Sequence, residues 1–148
     1  PTLTEKPSMV ADAVCWAAAS FLSLTPATNI MLIESCEQTN VLYRLGDFLN
    51  LTKLSEDEFQ SSSTAAIETV FQSRGGRVSI PIDHPASQLL PEENRRCVLL
   101  QKVHEFKDSN GREVKLCLIV GCDQLLVTFT KNDLKWLGSM AGYIRSKL

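Results

Sequence analysis

The pair Asn110-Gly111 stands between two apolar runs that alternate, Cys97 to Phe106 and Val114 to Val120. Asn-Gly reaches the positive-φ conformations of a tight turn at little cost, so this pattern is the strongest short-range signal for a β-hairpin. It commits the C-terminal half of the chain to an antiparallel sheet. With Asn110 and Gly111 as the two loop residues, Val103 faces Leu118 and His104 faces Cys117. Gly121-Cys122-Asp123 then reads as a second tight turn into a strand from Leu125 to Thr130, which would make a three-stranded meander.

The N-terminal half supplies helices and a second hairpin. Residues 1–7 carry Pro1 and Pro7 and no periodicity, so they read as a flexible leader. Ser8 is placed to cap a helix that runs to Leu24 and ends at Thr25-Pro26. Its apolar stripe is Val10, Val14, Ala17, Phe21 and Leu24, and Ala13, Ala17 and Ala18 leave a shallow surface for a neighbouring helix. The Ile-rich Asn29 to Ser35 reads as a buried strand, and Val41 to Leu45 returns as its partner before Gly46-Asp47.

A second helix is announced by Leu54-Ser55-Glu56-Asp57-Glu58-Phe59. Ser55 and Glu58 can form a reciprocal capping box, with Leu54 and Phe59 as the hydrophobic staple. Phe59, Ala66, Ile67, Val70 and Phe71 continue the stripe to Gly75-Gly76, which leaves Ser61 to Ser63 on the helix surface. Arg77 to Ile82 alternates like an edge strand closed by Pro81.

Residues 83–96 carry Pro85 and Pro91 and no period. They are expected to form a long, mobile loop. Leu89 and Leu90 within it are either a tether onto the domain, the preferred reading, or part of a partner contact.

The last helix is capped by Asn132 or Asp133 and carries Leu134, Leu137, Ala141, Ile144 and Leu148 on one face. Gly138 and Gly142 weaken a helix unless a neighbour approaches closely, and the alanine surface of the first helix is the expected neighbour. Trp136 and Tyr143 then remain as a partly exposed aromatic pair of the kind enriched at interfaces.

The chain's 148 residues suffice for one core, which places a single α+β domain at residues 8–148. With 15 basic and 17 acidic residues the net charge is −2, so nucleic acid is not an expected partner. No apolar run approaches the roughly 18 residues of a membrane span, so membrane insertion is not expected. Five cysteines without CxxC spacing, mostly beside aliphatic residues, point to reduced thiols in an intracellular, cytoplasmic protein.

Chemical signatures are sparse. Cys15 could serve as a nucleophile with His84 or His104 as base and Asp83 or Asp123 as orienter, but it lies mid-helix, away from the helix N-terminus that favours a thiolate. A packed thiol is the preferred reading. Cys117, Cys122 and His104 lack the paired spacing of a zinc site, and no phosphate-binding glycine loop occurs. No metal, cofactor or enzymatic activity is expected. Arg95, Arg96 and Lys102 form a small basic group that reads as a charged strand edge, or as an anion or phosphopeptide site.

Taken together, NIMLIESCEQTNVLYRL, LSEDEFQSSSTAAIETVF and VKLCLIVGCDQLLVTFTKNDLKWLGSMAGYI follow an element order that resembles the roadblock (dynein light chain) family and its longin and profilin-like relatives. The resemblance implies an antiparallel sheet of about five strands with helices at the N-terminus, middle and C-terminus. It also implies a non-catalytic scaffold or regulatory subunit, in a motor, trafficking or small-GTPase assembly, that pairs with a similar fold as a homo- or heterodimer. The alternative is a ligand- or phosphopeptide-binding domain of pleckstrin-homology type. Trp136, Tyr143, Leu89, Leu90, Arg95 and Arg96 are the expected partner-binding residues.

Overall fold

The computed structural model describes residues 8–48, 51, 53–124 and 129–148, with side chains described from residue 11 onward. The elements run α1 (Ser8–Leu24), β1 (Asn29–Ser35), β2 (Thr39–Gly46), α2 (Glu56–Gln72), β3 (Arg77–Ile80), β4 (Cys97–Lys107), β5 (Glu113–Cys122) and α3 (Lys131–Lys147). The strands form one antiparallel sheet in the order β2-β1-β5-β4-β3. The expected leader, the side chain of Val10 and residues 125–128 of the expected sixth strand lie outside the described residues.

Helices cover both faces of this sheet, so the central strands are apolar on both sides. Ile30, Leu32, Leu116, Leu118 and Val120 pack with Val14, Ala17 and Phe21 of α1 and Leu137, Ala141 and Ile144 of α3. The alternate residues Met31, Ile33, Cys117 and Ile119 pack with Ala66, Ile67 and Val70 of α2. Successive strand side chains point to opposite faces, and that alternation sorts one strand's residues between two cores.

Local chemistry sets the helix ends. Ser55 Oγ accepts from the Glu58 amide at 3.2 Å while the Glu58 carboxylate accepts from the Ser55 amide at 3.1 Å, the expected capping box. In α3 the cap is Thr130 rather than Asn132 or Asp133, and Asp133 is instead its reciprocal partner. Ser8 is the first described residue of α1, and the expected cap at its side chain lies outside what is described. At the other end Thr25 Oγ1 donates to the Phe21 carbonyl at 2.7 Å, and Leu24 beside it stays 66% exposed, off the expected stripe. Leu148, expected on the buried face of α3, is exposed as well.

Several other expectations change. The β4–β5 loop spans residues 108–112, because Asp108 Oδ1 accepts from the amides of both Asn110 and Arg112. Within this loop only Gly111 takes a positive φ, at 77°, whereas a two-residue Asn-Gly turn needs two such residues. The register accordingly pairs His104 with Leu116, and an irregularity between Lys102 and His104 shifts it again. Gly121 and Cys122 are strand residues rather than a turn. Ser62 and Ser63 are buried, not on the surface of α2.

Residues 83–96 are not a featureless loop. His84 Nδ1 accepts from the Ala86 amide and starts a short 3-10 helix, Pro85–Leu89, and a second follows at Glu92–Asn94. Leu89 and Leu90, 2% and 0% exposed, join the α2-side core. Asn94, also buried, donates to Thr28 Oγ1 at 2.8 Å, and Thr28 passes the bond to Asn29 Oδ1 at 2.6 Å. Gly121 lies beneath this segment, where a Cβ would stand 2.7 Å from the Asn94 carbonyl and from Leu90 Cδ1.

Helices α1 and α3 are neighbours, but not through glycine. Among the described residues a Cβ on Gly142 would meet nothing within 4 Å, and one on Gly138 would meet only Arg77 Nη2, at 3.0 Å. Aromatic rings make the contact instead. Phe21 meets Trp136 edge-on at 6.2 Å and Trp16 meets Tyr143 at 5.7 Å.

Candidate functional site

A cleft of about 480 Å³ opens on the α2 side of the sheet, between β2 and the start of α2. Met31, Val41, Leu54, Phe59 and Leu89 give it an apolar floor. Thr39 and Asn40 add hydrogen-bonding groups, and Arg44, Lys53 and Glu56 add charge. A concavity that joins apolar side chains to a small number of polar and charged groups is the usual build of a small-molecule site.

An irregularity in β2 shapes this cleft. Leu32 pairs with Tyr43 and Ile33 with Val41, so Leu42 is an extra residue. Under strict alternation Val41 and Arg44 would point to opposite faces. The bulge returns both to the α2 side, where Arg44 pairs with Met31 and Val41 with Ile33. Tyr43 then faces the other way, buried against α1, with its hydroxyl donating to Cys15 Sγ at 3.3 Å. Burial and that thiol neighbour push the Tyr43 pKa up.

Gln60 joins the two walls. Its Oε1 accepts from the Thr39 amide at 3.0 Å and from Thr39 Oγ1 at 2.9 Å, and its Nε2 donates to the Thr39 carbonyl at 2.8 Å. Thr39 Oγ1 also meets Ser63 Oγ. The same Gln60 amide reaches Glu56 Oε1 at 3.1 Å. On the opposite wall, the Arg44 guanidinium stands 5.4 Å from the centre of the Phe48 ring. No salt bridge to Arg44 or Lys53 forms among the described residues, whereas Arg112 engages both Glu37 and Asp108.

The residues singled out from sequence fall elsewhere. Leu89 and Leu90 are core residues, so neither presents a surface to a partner, although Leu89 touches the cleft floor. Arg95 donates from Nε to the Leu90 carbonyl at 2.8 Å, and Arg96 is exposed at the start of β4. Lys102 does not join them; its ammonium lies 5.2 Å over the Phe71 ring and 3.9 Å from Glu105. Trp136 and Tyr143 are half-buried and line a groove of about 240 Å³ with Trp16, which is 65% exposed.

The cysteine constellations do not assemble. Cys15 is exposed and takes the Tyr43 hydroxyl, while His84 caps a 3-10 helix and meets Thr69 Oγ1 at 3.2 Å. The His104 ring stacks on Phe106 at 4.9 Å. Cys117 and Cys122 belong to opposite cores and cannot share a metal ion. Burial alone raises the Cys117 pKa, and burial with the nearby Cys122 raises that of Cys97. Among the described residues no group of three or more His, Cys, Asp or Glu side chains could hold a metal, and no helix is long and apolar enough to cross a membrane.

Sequence composition did not single out Thr39, Arg44, Phe48 or Gln60. The available signal was a basic residue in a short edge strand followed by an aromatic one; the bulge that turns it into a site has no mark in the sequence.

No protein-family model matches the chain, and no curated protein matches it. Among solved structures it is similar to the GAF domain of a protein described as a sensor histidine kinase from Pseudomonas syringae pv. tomato. The TM-score is 0.60 at 14% identity, over 98% of this chain and 77% of that one. This likeness overturns the roadblock and longin assignment, which rested on element order alone. A sheet with helices on both faces also sets aside the pleckstrin-homology alternative, whose sheet is closed by a single C-terminal helix. Over its described residues the chain has an α+β fold of GAF type, built on a five-stranded antiparallel sheet with three α-helices.

Proposed function

We propose that this chain is a non-catalytic regulatory module that senses a small molecule held in the cleft between β2 and α2. The observation that carries the reading is the cleft itself. Its apolar floor is bounded by Arg44, Lys53 and Asn40, and its described lining residues include no histidine or cysteine to activate a nucleophile. The likeness to a GAF domain of a sensor protein supports a sensory role.

The aromatic groove of α1 and α3 supports a second part of this reading, in which a protein partner, a second copy included, docks at Trp16, Trp136 and Tyr143. Strand β2 serves both faces, since Arg44 borders the cleft and the adjacent Tyr43 is hydrogen-bonded to α1. Ligand binding at one face therefore has a physical route to the other.

A thermal-shift screen of small metabolites tests the sensory role. A ligand at a hundred times its Kd adds about 2.7 kcal/mol, or about 8 °C at roughly 3 °C per kcal/mol for a domain of this size. The shift should vanish in Val41→Trp, which fills the cleft. If no compound shifts the wild type more than this variant, the sensory reading fails. Sedimentation of the wild type against Trp16→Ser tests the partner face, and identical assembly of the two would exclude a self-pairing role for Trp16.

A further inference from the structure

We infer that the occupant of the cleft is a small organic anion: an apolar body carrying one carboxylate, sulfonate or phosphate group. The inference rests on the sensory reading above and adds the chemistry of the ligand. Three observations lead to it.

The first is the charge left at the rim. Arg44 and Lys53 face the cleft, and no carboxylate pairs with either among the described residues. The one carboxylate of the lining, Glu56, accepts from Gln60 Nε2 at 3.1 Å. Two cations against one engaged carboxylate leave a net positive mouth. A guanidinium presents a planar fork of donors that matches carboxylate and phosphate oxygens two at a time.

The second is the placement of that fork. Arg77, Arg95 and Arg112 each spend side-chain donors on protein acceptors: Gln101 Oε1, the Leu90 carbonyl and Asp108 Oδ2. Among the described residues Arg44 makes no such bond. It is held over the Phe48 ring at 5.4 Å, a cation–π contact that orients the group without consuming its N–H donors. The bulge at Leu42 aims this charge at the cleft, where strict alternation would have sent it toward α1.

The third is the floor. Leu54 and Phe59 offer apolar surface for the body of the ligand above the buried Met31 and Leu89, and about 480 Å³ lies within the range of small-molecule sites. A bare inorganic anion would leave this floor wet, and an uncharged apolar molecule would leave Arg44 and Lys53 unanswered. An anion with an apolar body satisfies both.

Two dyes separate charge from shape: 8-anilinonaphthalene-1-sulfonate and its uncharged analogue N-phenyl-1-naphthylamine, each titrated into the full chain by fluorescence. We expect saturable binding of the sulfonate dye to weaken at least tenfold in Arg44→Gln/Lys53→Gln. The uncharged dye should bind that variant within twofold of wild type. Val41→Trp should abolish binding of both, and Leu54→Trp serves in its place if Val41→Trp does not fold, as judged by its melting curve. Trp16→Ala should change neither. Unaltered sulfonate affinity in the double variant, with both dyes lost in Val41→Trp or Leu54→Trp, overturns the anion class and leaves the sensory cleft standing. Binding that survives the blocking variants, binding lost in Trp16→Ala, or no saturable binding of either dye overturns the cleft reading and the anion class with it.

Discussion

Replacing Gly142 with alanine should stabilise the protein, the opposite of what a close helix contact at this glycine would give. The residue lies inside α3, its φ is not positive, and a Cβ built there meets nothing within 4 Å. Glycine in a helix interior costs about 0.8 to 1 kcal/mol relative to alanine, partly through the freedom of the unfolded chain. With no steric cost to subtract, a gain of about 0.5 to 1 kcal/mol is expected. At about 2.1 cal/mol/K of unfolding entropy per residue, 148 residues give about 0.3 kcal/mol/K, so Tm should rise by about 2 to 3 °C. Calorimetry checks this, with urea unfolding at an unchanged m value as the companion measurement. Gly138→Ala is the internal comparison: its Cβ would press on Arg77 Nη2 at 3.0 Å, so the gain should be smaller. A fall in Tm for Gly142→Ala would refute the reasoning and place another helix, from α1 or a second copy, directly against Gly142.

Gly121→Ala should destabilise by about 1 to 3 kcal/mol in urea melts, because its Cβ would stand 2.7 Å from a backbone carbonyl in a packed strand. Leu90→Ala should cost about 2 to 5 kcal/mol through the cavity left in the α2-side core; a loss under 1 kcal/mol would mean that residues 83–96 are not anchored there. Ser55→Ala should lose about 0.5 to 2 kcal/mol, read from the denaturation midpoint. The hydrogen bonds from the Ser55 amide and hydroxyl hold the Glu58 carboxyl below its ordinary value. That contribution is therefore present above the ordinary glutamate range and is lost as the pH falls through the depressed value. Acid titration of wild type against Glu58→Gln should show the steeper loss in wild type below about pH 4.3, and parallel curves would remove the carboxylate from the cap.

Much of the scaffold is legible where the signal is short in range. The Ser55 box is visible because its two bonds join residues three apart, and β1 is visible because Ile and Leu on both faces need no knowledge of what covers them. The β4–β5 register is misread by one residue because the side chain of Asp108 competes with Asn110-Gly111 for the turn. The burial of Leu90 depends on Gly121, about 30 residues further on, having no side chain to block it. The candidate site is hidden for a similar reason. Arg44 reaches the cleft through a bulge that periodicity reasoning excludes by assumption, and Gln60 finds Thr39 across 21 residues of chain.

The pairing of β1 with β5 has a consequence for synthesis. The Thr28 amide donates to the carbonyl of Gly121, 93 residues downstream, and every residue of β1 pairs with one in the span 115–121. On the ribosome, α1 and the β1–β2 hairpin are made before β5, the strand that completes both of their cores. Until then the apolar faces of β1 have no partner on that side, and closing so long a loop costs entropy before any contact repays it. A chain that has not reached residue 113 lacks the strand that covers this edge of β1, and apolar surface and an unpaired strand edge left open in that way favour aggregation.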